Sequence, residues 1–229
     1  MVAGMNKFAA IILAAGRSTR FGGGRSKVHL DLNGIPVWRH SLAAFRDAGF
    51  GDQVILVVDG VNVDRLRAEN PSLTVIAGGE SRADSVSRAL DAVRAGITHV
   101  AIHDAARPCV TFAIIRDVCV RATETGAAIV GISSTNTLHL RKDDGELGST
   151  LDRSQVVVAQ TPQAFGLFMI WSAYRSLDAD AIPTDDAGVM IAAGYTVAVV
   201  PGSPLNIKIT TPDDLVLAGA ILSTRAGQP

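Results

Sequence analysis

Two cysteines in 229 residues, Cys109 and Cys119, are too few for a disulfide scaffold, and no nearby His or Cys has the spacing of a zinc site. A reduced, cytoplasmic setting is expected. Net charge is almost absent: 21 Lys and Arg stand against 22 Asp and Glu, −1 overall. Without a global field the chain is not drawn to nucleic acid or to an anionic membrane, so any grip on an anion has to be local. No apolar run approaches the ~20 residues of a membrane helix, and the opening MVAGMNK does not read as a signal peptide. Internal repeats and low-complexity tracts are missing as well. The remaining balance, 48% hydrophobic and 19% charged, is that of a soluble globular chain with one substantial core or a core and a small appendage.

Short Val- and Ile-rich runs alternate with helical spacing. Residues 8–14, 53–58, 75–77, 100–103 and 127–131 predict strands buried on both faces, the habit of parallel sheets. Residues 36–48, 81–95 and 111–125 predict the helices between them, with Pro36 in a first turn and Gly49, Gly96 and Gly126 as carboxyl-terminal caps. Such alternation predicts an α/β sheet covered by helices on both faces. The rhythm breaks after Ile132. Residues 135–157 read as an arm with a hairpin turn at Asp144-Gly145, and a lone hairpin needs something to pack on, such as another subunit. Helices over 165–177 and 185–193, a strand over 195–200, and a last helix opened by Thr211-Pro212-Asp213-Asp214 complete the reading.

Ligands of such sheets bind beyond the carboxyl ends of the strands, and the unusual polar residues fall there. After the first strand comes AAGRSTRFGGGRSK (residues 14–27), rich in Gly and cations. It matches neither the phosphate-loop pattern, which needs Gly-Lys-Ser/Thr, nor Gly-x-Gly-x-x-Gly. It remains a glycine loop able to surround a polyphosphate with amides and with Arg20 and Lys27; Arg17 and Arg25 read as solvated neighbours. After the fourth strand comes HDAARP (103–108). Asp104 there suits a divalent cation or a ribose hydroxyl, or an ordinary ion pair with Arg107 three residues on. His103 reads as structural. GGESRADSV (78–86) is either a plain helix cap or a place where Gly79 and Ser85 approach a flat base. Lys208, between Ile207 and Ile209, either needs an anion partner or snorkels to solvent.

AAGRSTRFGGGRSK, HDAARP, DRSQVVVAQTPQAF, TDDA and NIKITTPDDL together resemble the 2-C-methyl-D-erythritol 4-phosphate cytidylyltransferases, with ribitol 5-phosphate cytidylyltransferases as close relatives. The resemblance runs from about Phe8 to Leu222. It implies a Rossmann-like, mostly parallel sheet of the nucleotide-diphospho-sugar transferase type, in a single domain spanning 1–229. It also implies joining of CTP to a polyol phosphate with Mg²⁺, and a homodimer made through the arm. The residues it assigns to cytidine are Ala14, Ala15, Gly16, Gly79, Ser85 and Ala105; Asp104 serves ribose and metal; Arg20, Lys27 and Lys208 serve the phosphates and the transition state. Arg107, Thr137, Arg153 and Thr184 would face the polyol phosphate. The chain departs from the family pattern in three places. Ser26, Val28 and His29 flank Lys27 where the family has proline, glutamine and an aromatic; Leu205 stands where an acid is common; a tryptophan is missing near Val156–Val158. A ribitol 5-phosphate enzyme and a catalytically silent nucleotide-binding relative are the alternatives.

Overall fold

The computed structural model describes residues 7–16, 27–177 and 183–226. Its centre is a seven-stranded sheet of β1 (Phe8–Leu13), β4 (Gln53–Val58), β5 (Thr74–Ala77), β6 (His99–Asp104), β7 (Ala127–Ser133), β10 (Val157–Gly166) and β11 (Ala198–Pro201). The spatial order is β11-β7-β10-β6-β1-β4-β5. Only β10 runs antiparallel to its neighbours; the other pairings are parallel. The short strands β2 (Asp31–Leu32) and β3 (Ile35–Pro36) form a separate two-stranded ribbon, as do β8 (Leu138–Arg141) and β9 (Leu147–Leu151).

The continuous apolar runs of the central strands arise because both faces are covered. Along β1, Phe8, Ala10 and Ile12 pack toward α1 (Val37–Ala48), α2 (Val63–Glu69) and α4 (Phe112–Thr125), meeting Trp38, Phe45, Leu66 and Ile115. The alternate residues Ala9 and Ile11 pack toward α3 (Arg82–Asp91), α5 (Leu167–Arg175) and α6 (Asp186–Ala192), meeting Val86, Leu90, Ile170 and Met190. The last helix, α7 (Pro212–Ala226), closes a third small cluster in which Leu32, Cys109, Ile209 and Ala218 are buried. Among the described residues no helix is long and apolar enough to cross a membrane.

Most predicted bounds fall within a residue or two of those observed; the strand expected over 195–200 begins only at Ala198, α2 was not anticipated, and three further boundaries shift for identifiable reasons. Pro36 stands one residue before α1, at its amino-terminal cap, extended at ψ 142°, so its ring precedes the helix. The third helix stops at Asp91, well before Gly96, which adopts φ +87° in a later turn. Phe165 continues β10, paired with Val100 and Ala127, and α5 begins only at Leu167. Gly49 and Gly126 do end their helices in the left-handed region, at φ 70° and 82°, where a Cβ is disfavoured. The hairpin turn is also where it was expected, with Gly145 at φ +88° and Asp144 Oδ1 accepting from Glu146 N–H.

β1 pairs with β4 on one side and with β6 on the other. The chain therefore leaves β1 in one direction and later returns past it, and this reversal opens a crevice above the carboxyl ends. Antiparallel β10 brings its first half, and the arm that precedes it, to the same end of the sheet.

Candidate active site

The loops meeting at the crevice are tied to one another by backbone. Ala14 N–H donates to the Val57 carbonyl at 2.7 Å, Gly78 N–H to Val58 at 2.7 Å, and Ala105 N–H to Leu13 at 3.0 Å. Ile209 N–H donates to the Ala106 carbonyl at 2.8 Å, bringing Lys208 in from the far end of the chain. Leu13 and Asp104 are register partners, so the glycine loop and the HDAARP turn leave the sheet side by side.

Two clefts open there. The larger, about 380 Å³, is lined among the described residues by Ala15, Gly16, Lys27, Gly79, Ser85 and Ala106 with Arg82, Asp104 and Lys208. The smaller, about 210 Å³, is lined by Arg107, Gln160, Thr161, Gln163 and Thr184 with the same Arg82, Asp104 and Lys208. Those three side chains form the seam between the clefts.

At the seam Lys208 Nζ lies 2.5 Å from Asp104 Oδ2, and Arg82 Nε lies 3.5 Å from Asp104 Oδ1. Burial pushes the Asp104 carboxyl up, but the charges of Arg82 and Lys208 outweigh it and hold the group well below the usual carboxylate range. Asp104 does not pair with the Arg107 side chain. The Arg107 guanidinium instead donates to the Asn206 carbonyl at 2.7 Å, and its buried Nε finds no partner among the described residues. Asn206 is itself fixed by Nδ2 bonds to the Thr161 carbonyl (3.0 Å) and Gln160 Oε1 (3.2 Å). Lys208 therefore does not snorkel away from the protein; an acid partner draws it inward.

His103 is fully buried, and burial lowers its imidazole to about 4, leaving it neutral near pH 7. Its Nε2 faces the Arg107 carbonyl at 3.2 Å, which can only accept, so the proton sits on Nε2. Nδ1 then accepts from the Thr161 hydroxyl (3.1 Å), and that hydroxyl oxygen accepts from Asp104 N–H (3.1 Å). His103 thus orders Thr161 and the Asp104 backbone without facing either cleft, as a structural histidine does.

A further wall of the larger cleft is the start of α3, continuous with the seam through Arg82. Ser81 Oγ caps this helix by accepting from Asp84 N–H at 3.0 Å. Ser85 Oγ accepts from Gly79 N–H (3.0 Å) and donates to the Ser81 carbonyl (2.9 Å). The segment is both a cap and a cleft wall. A Cβ on Gly78 would stand 2.5 Å from Ala15 Cβ, and one on Gly79 only 2.4 Å from Asp84 Oδ2, so glycine sets how closely these walls approach.

The remaining predicted residues divide clearly. Ala14 and Ala105 are buried behind the wall and line neither cleft. Thr137 and Arg153 are exposed on the arm, where Arg153 donates to the Thr135 carbonyl at 2.9 Å, and they too line neither cleft. Arg20 lies outside the described residues. Arg82, Thr161 and Asp186 lie inside the quoted motifs GGESRADSV, DRSQVVVAQTPQAF and TDDA, but none of them was assigned a role from the sequence; a cation at the first position of α3, three positions after Gly79, was the available hint for Arg82. Among the described residues no three His, Cys, Asp or Glu side chains converge as a metal cage. One carboxylate beside a polyphosphate nevertheless suits Mg²⁺, which keeps waters and takes phosphate oxygens as ligands.

The chain is similar over nearly its whole length to proteins of one family. A family model described as 2-C-methyl-D-erythritol 4-phosphate cytidylyltransferase matches residues 8–224. The protein of that name from Syntrophus aciditrophicus is 39% identical over 230 residues, covering 97% of this chain and 98% of its own. Among solved structures, 4-diphosphocytidyl-2C-methyl-D-erythritol synthase from Anaerococcus prevotii superposes with a TM-score of 0.84 at 27% identity, covering 95% of this chain and 96% of that one. The Francisella tularensis enzyme superposes at 0.81 with 31% identity, covering 94% and 99%. The chain belongs to the 2-C-methyl-D-erythritol 4-phosphate cytidylyltransferase family.

Proposed function

We propose that the protein transfers CMP from CTP to 2-C-methyl-D-erythritol 4-phosphate, releasing pyrophosphate and forming the CDP-alditol used in isoprenoid precursor synthesis. The observation that carries this reading is the shared seam: Arg82, Asp104 and Lys208 border two adjoining clefts, one suited to each substrate. The larger cleft takes the cytidine, with its base between Ala15–Gly16 and Gly79–Ser85. The smaller takes the polyol phosphate beside Arg107 and Thr184. The phosphate oxygen of the polyol then attacks the α-phosphorus of CTP while the α–β oxygen bridge breaks and pyrophosphate leaves.

A phosphate monoester dianion needs no general base, so the barrier falls through alignment and through cations placed where oxygens gain charge. Lys208 stands at the seam and Lys27 lines the nucleotide cleft; Arg20, seven positions before Lys27 in the sequence and outside the described residues, is proposed to join them on the phosphates. Asp104, with phosphate oxygens, would hold Mg²⁺, which supplies neutralisation of charge on the phosphates when bound. Leu205, half-exposed beside buried Asn206, offers no carboxylate where the family commonly has an acid, which supports Asp104 as the carboxylate that holds the metal. Arg153 and Thr137 lie exposed on the arm outside both clefts, which supports a homodimer in which the arm reaches the site of a second copy; the setting is proposed to be cytoplasmic. The single domain and its arm are then one functional unit.

The reading is tested by incubating the protein with CTP, Mg²⁺ and each polyol phosphate in turn and following pyrophosphate. Rapid release with methylerythritol phosphate and slow release with ribitol 5-phosphate is the expected result. The reverse order would overturn the substrate assignment, and tight CTP binding without turnover on either would favour a silent nucleotide-binding relative.

A further inference from the structure

Behind the seam lies a polar cluster that the transfer reaction does not itself explain. Asp186 is completely buried at the start of α6. It accepts from Arg82 Nη1 at 2.9 Å and Nη2 at 2.7 Å, and Tyr174 Oη donates to its Oδ1 at 2.6 Å. A carboxylate removed from water needs such saturation, and leaving it half-paired would be strongly destabilising. The fork-to-fork contact fixes the plane of the guanidinium, which a single-point lysine contact would not do. With both Nη atoms turned to Asp186, Nε of Arg82 is left facing Asp104 Oδ1.

The two cations at Asp104 are unequal. Arg82 reaches Oδ1 and is anchored from behind, its side chain 29% exposed; Lys208 reaches Oδ2 from a flexible stem and is 41% exposed. A polyphosphate entering the seam competes with Asp104 for the lysine, not for an arginine already held by a buried acid. Resting on the reaction proposed above, we propose that Arg82 is a positioning residue. Clamped by Asp186 and Tyr174, it keeps the Asp104 carboxylate in place when Lys208 leaves it for the incoming phosphate.

Steady-state kinetics with CTP and methylerythritol phosphate on Arg82→Gln, Arg82→Lys, Tyr174→Phe and Asp104→Asn, singly and combined, test this. Arg82→Gln is expected to lower kcat roughly 10- to 100-fold, the scale of one charge-assisted hydrogen bond, with KM for CTP moving less than about threefold. Arg82→Lys should fail to rescue, because one ammonium cannot span both carboxylates in a fixed plane. In an Asp104→Asn background the further effect of Arg82→Gln should shrink below about threefold, since the group it holds is gone. If Arg82→Gln does not fold, Tyr174→Phe, which removes one oxygen, must show the same non-additivity with Asp104→Asn. Wild-type kcat in these variants, or an equal loss with and without Asp104, would overturn the inference alone. A wild-type protein inactive on both polyol phosphates would instead overturn the reaction reading and the inference with it.

Discussion

Asp104 is the residue on which the site turns, and its environment explains why a carboxylate can stand there. Two cations neutralise it, and its backbone is bound through Thr161 to a histidine whose tautomer is dictated by a carbonyl. Lys208 carries the charge available to a phosphate. Truncation by Lys208→Ala is expected to lower kcat/KM by about 10²–10³, as loss of a transition-state charge contact does. Lys27→Ala is expected to act in the same direction, and an unchanged kcat/KM in either variant would remove that lysine from the mechanism. Gly78 poses a different test, because a Cβ there would collide with Ala15. Gly78→Ala should cost about 1–3 kcal/mol in denaturant unfolding and raise KM for CTP more than it changes kcat. Asp104, Gly79, Ser85 and Lys208 were legible in the sequence: Asp104 and Gly79 stand at or just past a strand end, Ser85 lies at the helix start that follows, and Lys208 is a cation between two isoleucines. Arg82 and Asp186 were not: they are 104 positions apart, and only the packing of α6 against α3 and α5 makes them a pair.

Helix starts, read locally, were legible for local reasons. Thr111 and Ser81 each cap their helix with a hydroxyl that accepts an amide within the first turn. Thr111 lines neither cleft, so Thr111→Ala should lower unfolding free energy by about 1 kcal/mol and leave kcat unchanged. Asp214 performs a related task at the start of α7, accepting from Thr210 N–H, Thr210 Oγ1 and Thr211 N–H. Partial burial pushes its carboxyl up, but these bonds prevail and hold it at about 2. A depressed carboxyl stabilises the fold above its unfolded pKa near 4 and loses that contribution as pH falls through 2. The stability gap between wild type and Asp214→Asn should therefore be constant near neutrality and narrow between about pH 4 and pH 2. What the sequence concealed at this scale was strand direction. Residues 157–166 carry apolar residues that suit either direction and a Phe-Gly boundary that reads as helix, whereas pairing with β6 and β7 makes them one long antiparallel strand.

Across the whole molecule, the strand-helix rhythm forecast a sheet covered on both faces because nonpolar strands of this kind survive only when both sides are dry. The order of the strands, and so the crevice beside β1 and β6, depends on contacts that no local pattern contains. The arm is where the fold looks outward. Leu140, Leu147 and Leu151 on its two strands are 52%, 69% and 37% exposed, unusual for a ribbon of only nine strand residues. If the proposed homodimer forms through the arm, replacing residues 138–151 by a short Gly-Ser linker should lower the sedimentation coefficient from that of a dimer to that of a monomer and reduce turnover together, since Thr137 and Arg153 flank the deleted segment. Unchanged sedimentation would detach the arm from assembly. The central claim, that this crevice joins CTP to methylerythritol phosphate, is met most directly by competition in one tube. Equal amounts of methylerythritol phosphate and ribitol 5-phosphate with limiting CTP and Mg²⁺ would be followed by phosphorus NMR and mass analysis of the products. The account predicts pyrophosphate and CDP-methylerythritol in large excess over CDP-ribitol; CDP-ribitol as the main product, or no diphosphate diester at all, would contradict it.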